Sequence, residues 1–328
     1  MSSVQVSIIC NTYNQSTYIR DALESFLSQK TSFRYEILVH DDASTDGTTE
    51  IIREYQKQYP ELVKPIYQTE NQYSKGVKIS YSYQIPRVEG RYIAFCEGDD
   101  YWIDENKLQK QFDYMEKNQN CYVCAHGAYR VEAESKKIIK KQILDAGKKE
   151  YGMREAIQGY GRMVATSSMF IRREVFEDIP EFAWKAPCGD YLYPILGAKK
   201  GYLAYLSDIM SCYRVLAKNS LSEGWMKDSA KLQNYYQKYE DMLKEINRYT
   251  NEEFVDEIER ENTRIWFKYY SYIGDKRIFR EKRYKDYFQS LSFRSRINST
   301  IRVYCPNLVK KYYTLRRWYG KYFMGLRK

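Results

Sequence analysis

The chain has 328 residues, 43% hydrophobic and 29% charged, an ordinary globular composition with room for one large core and an appendage, which excludes a disordered or fibrous chain. Its net charge of +10 sits at one end: residues 284–328 hold 11 Lys and Arg against the single Asp286, so the rest of the chain is close to neutral. Seven irregularly spaced cysteines argue for a reducing compartment, and Met1–Gln5 lacks the basic and apolar regions of a signal peptide. No run approaches the roughly 18–20 apolar residues that span a bilayer. The expectation is a cytoplasmic protein, soluble or peripheral at the inner face of the cell membrane.

The apolar run Val6–Cys10 predicts a strand, and it ends in Asn11-Thr12-Tyr13-Asn14. A helix follows over Ser16–Gln29, with Ser16 or Thr17 as cap and Ile19, Ala22, Leu23, Phe26 and Leu27 as its apolar stripe. Tyr35–Val39 is the second strand, ending in His40-Asp41-Asp42-Ala43-Ser44-Thr45-Asp46-Gly47, and a second helix runs from Gly47 to Pro60. Val63–Tyr67 reads as a strand, and Asn71–Pro86 as a loop with a helix near Lys78–Gln84. Tyr92–Glu97 is the fourth strand, opening into Glu97-Gly98-Asp99-Asp100-Tyr101-Trp102, and Leu108, Phe112 and Met115 mark the next helix. This β-α-β-α-β order argues for an α/β fold with a largely parallel sheet and flanking helices.

Past Cys121 the pattern changes. Tyr122–Val131, Lys137–Leu144 and Val164–Ile171 read as strands, with Met153–Ile157 and Arg172–Phe176 as short helices. Cys121 and Cys124 lie inside an apolar run with no second pair, so they read as core residues and not as a zinc site. After Cys188-Gly189-Asp190 comes the apolar helix Tyr191–Ala198, then strands Tyr202–Leu206 and Ile209–Tyr213. Beyond Trp225 the pattern is helical: Asp228–Thr250, Glu252–Ile273 and a basic end after Arg280. The expected division is a catalytic domain over 1–224 and a basic, tyrosine-rich helical region over 225–328.

Each of the three strands ending at residues 10, 39 and 97 carries a polar constellation at its carboxyl end, the edge where open α/β sheets bind ligands. Glu97, Asp99 and Asp100 would repel one another without a cation, and hard oxygen ligands suit Mg²⁺ or Mn²⁺ shared with a substrate's phosphates; the alternative is an acidic turn before a helix. Taken together, Val6–Asn14, Val39–Thr48 and Glu97–Asp100 resemble the family 2 glycosyltransferases with a GT-A-type nucleotide-sugar-binding fold. The resemblance covers about residues 4–215, and the Glu-Gly-Asp-Asp-Tyr-Trp segment places it near enzymes of bacterial surface polysaccharides.

That resemblance implies an inverting, metal-dependent transfer of a sugar from a UDP-sugar to a hydroxyl of a glycan or lipid-linked acceptor. Asn11, Tyr13 and Asp42 fall on positions that hold the uridine, where Tyr13 can stack on the base and Asp42 can accept its imide N–H. Lys75 falls near the diphosphate. Asp99 matches the metal-binding aspartate, with Asp100 in reserve. Glu97 stands where an aspartate is usual, so it is assigned to the ribose or a metal-bound water. Asp190 matches the general base, although an aspartate there also fits a helix cap. A histidine that similar proteins carry after their Tyr-Arg pair is replaced by Leu216, leaving Arg214, Lys218 or Ser220 to substitute for it. His40 and His126 pair with nothing by motif.

Two other classes remain open at this point. A sugar-nucleotide nucleotidyltransferase would need a Gly-rich basic loop after the first strand, which Asn11–Gln15 lacks. A non-catalytic module could grip nucleic acid with the basic tail, but the acidic clusters would then have no role, so no nucleic acid is expected. From Tyr284 onward, Ile297, Ile301, Trp318 and Phe323 are interleaved with cations, the pattern of an interfacial segment on anionic lipid.

Overall fold

The apolar runs fold as expected into parallel strands, and those over Val6–Cys10, Ile37–Val39 and Tyr92–Phe95 are buried on both faces and so show no alternation. The computed structural model describes residues 3–144, 150–159, 164–215, 217 and 229–305. Strands β1 (Val4–Thr12), β2 (Arg34–Asp41) and β3 (Val63–Tyr67) alternate with helices α1 (Ile19–Leu27) and α2 (Thr48–Gln58). Helix α1 buries Ile19, Ala22, Leu23 and Phe26 on one stripe against the sheet, each large apolar group stabilising by about 1.5–3 kcal/mol. It begins later than its sequence suggests: Tyr18 is the cap residue, while the Ser16 N–H donates to Asp46 across the strand ends.

The chain steps outward from β1 to β2 to β3, then returns to lay β4 (Tyr92–Phe95) against the other side of β1, also parallel. This reversal makes a crevice beyond the carboxyl ends of β1 and β4, the switch point where such sheets bind ligands. The parallel character does not extend through the rest of the sheet. Its order is β3-β2-β1-β4-β9-β6-β10-β5, and β9 (Phe170–Arg172) runs antiparallel to both neighbours. β6 (Cys121–Glu132) and the long, irregular β10 (Tyr202–Val215) are parallel to each other, while β5 (Tyr101–Trp102), β7 (Ile138–Gln142) and β8 (Glu150–Tyr151) pair antiparallel at the margins. Helices α3 (Lys107–Lys117), α4 (Met153–Ile157) and α5 (Gly189–Lys200) complete this part. Cys121 and Cys124 are both buried and free in β6.

The chain divides into two compact units, Met1–Gly224 and Trp225–Lys328. In the second, helices α6 (Ser229–Tyr249), α7 (Val255–Ile273), α8 (Lys282–Ser290) and α9 (Phe293–Tyr304) follow one another. Gly274 ends α7 at φ +78°, a left-handed position that a side chain would strain. Phe267, Ile278, Tyr284 and Val303 form the core there, and Tyr236, Trp266, Tyr269 and Tyr270 stack alongside. Among the described residues no helix is long and apolar enough to cross a membrane.

Candidate active site

The acidic segment leaves β4 and is pulled hard against the end of β1. The Gly98 N–H donates to the Asn11 carbonyl at 3.0 Å, and a Cβ on Gly98 would lie 2.8 Å from Thr12 and 2.5 Å from Gln15 Oε1, so only glycine fits. Tyr101 and Trp102 then pair with Cys212 and Ser211 of β10. This brings Arg214 beneath the segment. Its backbone N–H donates to Asp100 Oδ1 at 2.9 Å, and its guanidinium donates to the Asp99 carbonyl (2.7 Å), the Ala133 carbonyl (3.1 Å) and the Asp21 carboxylate. Arg214 is therefore a buried strut, committed before any diphosphate arrives, and does not replace the histidine lost at position 216. Lys218 and Ser220 lie outside the described residues. Lys107, fully buried with its ammonium 3.9 Å from the Trp102 ring centre, is pushed down to about 7 by burial and supports the segment from below.

Asp190 sits in the first turn of α5, where its Oδ1 accepts the Tyr191 N–H at 3.0 Å. It is near enough to Glu97 for its charge to help hold the Glu97 carboxyl above its usual range, after burial and Asp99. Two chain positions 93 residues apart in sequence are thus within electrostatic reach of each other. Tyr193, one turn along α5, joins them: burial, reinforced by Asp190 and Glu97, pushes its hydroxyl up. Tyr73 and Tyr213 also feel Glu97, and Tyr213 feels Asp99 and Asp100 as well. These three tyrosines were not legible as site residues, because in a chain with 35 tyrosines they stand in no motif.

At the other side, Asn11 donates to Ser80 Oγ at 3.1 Å and accepts from Gln84 at 3.3 Å. Ser80 and Gln84 belong to a single π-helical turn, Ser80–Gln84, a distortion common at functional sites. Tyr13 is 38% exposed at the rim, open to stack on a planar ligand. Asp42 is buried, and its two oxygens accept the N–H groups of Gln72 (2.8 Å) and Tyr73 (3.0 Å). It therefore shapes the following turn, with lone pairs left for a ligand. Lys75 pairs with Glu70 on the surface. His40 and His126 are buried, and burial lowers both, so they are neutral structural groups.

The family profile described as glycosyl transferase family 2 matches residues 7–180. The chain belongs to glycosyl transferase family 2. Among its relatives, an uncharacterized protein of Mycobacterium tuberculosis is 34% identical over 209 residues, 64% of this chain and 58% of that protein, so the chain spans little more than half of that relative's length. The putative teichuronic acid biosynthesis glycosyltransferase TuaG of Bacillus subtilis is 29% identical over 72% of this chain and 88% of its own. The Escherichia coli enzyme named UDP-Glc:alpha-D-GlcNAc-diphosphoundecaprenol beta-1,3-glucosyltransferase WfaP is 38% identical over 34% of this chain and 41% of its own. In fold the chain resembles Staphylococcus aureus TarS 1–349 in complex with UDP-GlcNAc, with a TM-score of 0.59 and 17% identity over 90% of this chain and 79% of that one. Its fold is of GT-A type, and membership of the family sets the nucleotidyltransferase reading aside.

Among the described residues, no three His, Cys, Asp or Glu side chains are placed to hold one cation by themselves. The donor set nevertheless fits a hard cation whose remaining ligands come from a substrate. Asp100 Oδ2 is buried with no hydrogen-bond partner, a costly state for a carboxylate oxygen. Burial holds Glu97, Asp99 and Asp100 above the usual carboxylate range, and for Glu97 and Asp100 the neighbouring Asp99 adds to it. With raised folded values, the cation-free fold binds more protons than the unfolded chain, so its stability falls as pH rises above the ordinary carboxylate range near about 4. The unfolding midpoint in EDTA is expected to drop between about pH 5 and 8, and Mn²⁺ with UDP to raise it more at the higher pH. Calorimetry that finds the same increment at both ends, or none, refutes the site.

Proposed function

We propose that this glycosyltransferase moves a sugar from a UDP-sugar to a hydroxyl of a glycan or lipid-linked acceptor, with Mn²⁺ or Mg²⁺ and with inversion, in the assembly of a bacterial surface polysaccharide. What supports the reading is the electrostatic reach between Asp190 and Glu97 at the carboxyl end of β4, together with the unmatched oxygen of Asp100. The relatives' names support the rest: one uses UDP-Glc and a diphosphoundecaprenol-linked acceptor, another is assigned to teichuronic acid. Met1–Gly224 is the catalytic domain in this reading, working at the cytoplasmic side.

Asp99 and Asp100 would hold the cation, which when bound offsets the negative charge that builds on the departing diphosphate. Asn11, Tyr13 and Asp42 hold the uridine: Tyr13 stacks on the base, and Asp42 accepts its N–H. Lys75 exchanges its surface partner Glu70 for a phosphate oxygen, and Glu97 orients the ribose. Asp190 takes the proton from the acceptor hydroxyl as that oxygen bonds to the anomeric carbon. The bond from that carbon to UDP breaks on the opposite face, and UDP leaves with the electron pair.

A peripheral contact with anionic membrane through the C-terminal region belongs to the same proposal, with its start moved. Tyr284 is fully buried in the helical unit's core, so the amphipathic stretch begins at α9 instead, where Phe293, Ile297, Ile301 and Tyr304 are exposed and Arg294, Arg296 and Arg302 share the helix. The remainder, residues 306–328, lies outside the described residues.

The test is nucleotide release from a panel of UDP-sugars and GDP-mannose, with Mn²⁺ or with EDTA. UDP release from at least one UDP-sugar, lost in EDTA, is expected. Release from GDP-mannose alone would overturn the donor, and full activity in EDTA would overturn the cation. GDP-mannose is included because a solved mannosyltransferase from Pyrobaculum calidifontis, seen with GDP-Man and Mn²⁺, shares the fold at a TM-score of 0.52 and 14% identity over 93% of this chain and 88% of that one.

A further inference from the structure

We infer that the β6–β7 hairpin is a second membrane-docking element, built into the catalytic unit, whose partner is an anionic lipid surface. Its second strand and flanks read Lys136-Lys137-Ile138-Ile139-Lys140-Lys141-Gln142-Ile143. All four lysines are exposed, and so are Ile138 (53%), Ile139 (41%) and Ile143 (43%). β7 pairs with β6 along one side, from Ala128 opposite Gln142 to Val131 opposite Ile138, with Ile139 as the extra residue of a bulge. No other described strand pairs with it.

Lysines and a bulge on an edge strand are also how proteins prevent edge-to-edge aggregation. That explains the cations here and not the isoleucines, which such protection would replace with polar residues. Three exposed aliphatic groups set among Lys137, Lys140 and Lys141 fit a lipid headgroup boundary, where the isoleucines enter the acyl edge and the lysine stems reach back to phosphate. A nucleic acid would call for a stacking ring, and residues 136–143 contain no aromatic.

The hairpin is also tied to the site. Lys136, at φ +56° in the turn, pairs with Asp21 at 2.8 Å and lies 5.3 Å from the Tyr101 ring centre. Asp21 in turn receives the Arg214 guanidinium that holds Asp99. Docking through this ribbon would therefore set the crevice of the glycosyltransferase beside the bilayer, where a lipid-linked acceptor is confined.

The experiment is sedimentation of the full chain with vesicles of phosphatidylcholine alone or with phosphatidylglycerol, at low and high salt, comparing wild type with two variants. One is Lys137→Gln/Lys140→Gln/Lys141→Gln; the other is Ile138→Thr/Ile139→Thr/Ile143→Thr, which keeps β-branching and removes apolar area. Each lysine near an anionic surface contributes about 1 kcal/mol, so the lysine variant should partition about a hundredfold more weakly at low salt. The isoleucine variant should lose the binding that persists at high salt. Unfolding midpoints and release of UDP from soluble donor should match wild type in both. Absence of wild-type binding, equal binding to phosphatidylcholine vesicles, or a lysine variant that binds as wild type does would overturn the inference. So would lysine-dependent binding to single-stranded RNA that exceeds vesicle binding at equal phosphate. Because the readout is partitioning, a wrong donor assignment leaves it intact, and its own failure leaves the transfer reaction intact.

Discussion

Asp190→Asn is expected to lower turnover by about 10²–10⁴-fold while leaving the affinities for UDP-sugar and Mn²⁺ within about threefold of wild type. The amide matches the carboxylate in size, and its Oδ1 can keep the bond that Asp190 accepts from the Tyr191 N–H. What it cannot do is take a proton. The two roles open to this residue, base and helix-terminus stabiliser, therefore separate in one substitution. An Asp190→Asn protein with nearly full turnover, beside an Asp190→Ala protein that fails to fold, would assign the residue to the helix end alone.

Asp99→Ala is expected to remove about 3–4 kcal/mol of transition-state stabilisation, a fall of two to three powers of ten in turnover, and Glu97→Ala about tenfold. The fold should survive the first change. Arg214 is held by the backbone carbonyl of Asp99 and not by its side chain, so the strut under the segment remains. Burial raises the Asp99 carboxyl, which means its ionised form weakens the cation-free fold. The variant's unfolding midpoint in EDTA should therefore equal or exceed that of wild type, while the increment given by Mn²⁺ with UDP disappears. Unchanged turnover, or an increment that persists, would remove Asp99 from the cation site.

The first half of the catalytic unit was legible because its signals are local. Runs such as Val6–Cys10 and Tyr92–Phe95 announce buried strands by length and residue type, and the helix stripe at Ile19, Ala22, Leu23 and Phe26 announces the face it buries. The second half was less legible. Val164–Ile171 reads as one strand, yet Thr166–Ser168 form a 3₁₀ turn and only Phe170–Arg172 pair, wedged antiparallel between β4 and β6. Conversely, Tyr202–Leu206 and Ile209–Tyr213 read as two strands and are one, because β6 supplies partners across the irregular stretch between them. Strand direction and continuity are set by the neighbour, and no neighbour is written in the segment itself.

By itself the sequence determined the class of fold, the polar ends of three strands and, through the combined motifs, the family. Those depend on residue type and spacing within about ten positions, which short-range sterics and burial decide. Tertiary structure alone decided which distant groups share the crevice. It set Asp190 beside Glu97, placed Arg214 under Asp99 and Asp100 rather than toward a ligand, and gave Asp42 the N–H groups of Gln72 and Tyr73. It also buried Tyr284 in a helical core instead of leaving it on an amphipathic tail. The physical reason is common to all four. Charge–charge coupling, desolvation and hydrogen bonding act over a few ångströms of space, and only the packed sheet and helices bring groups that are separate in sequence within such distances.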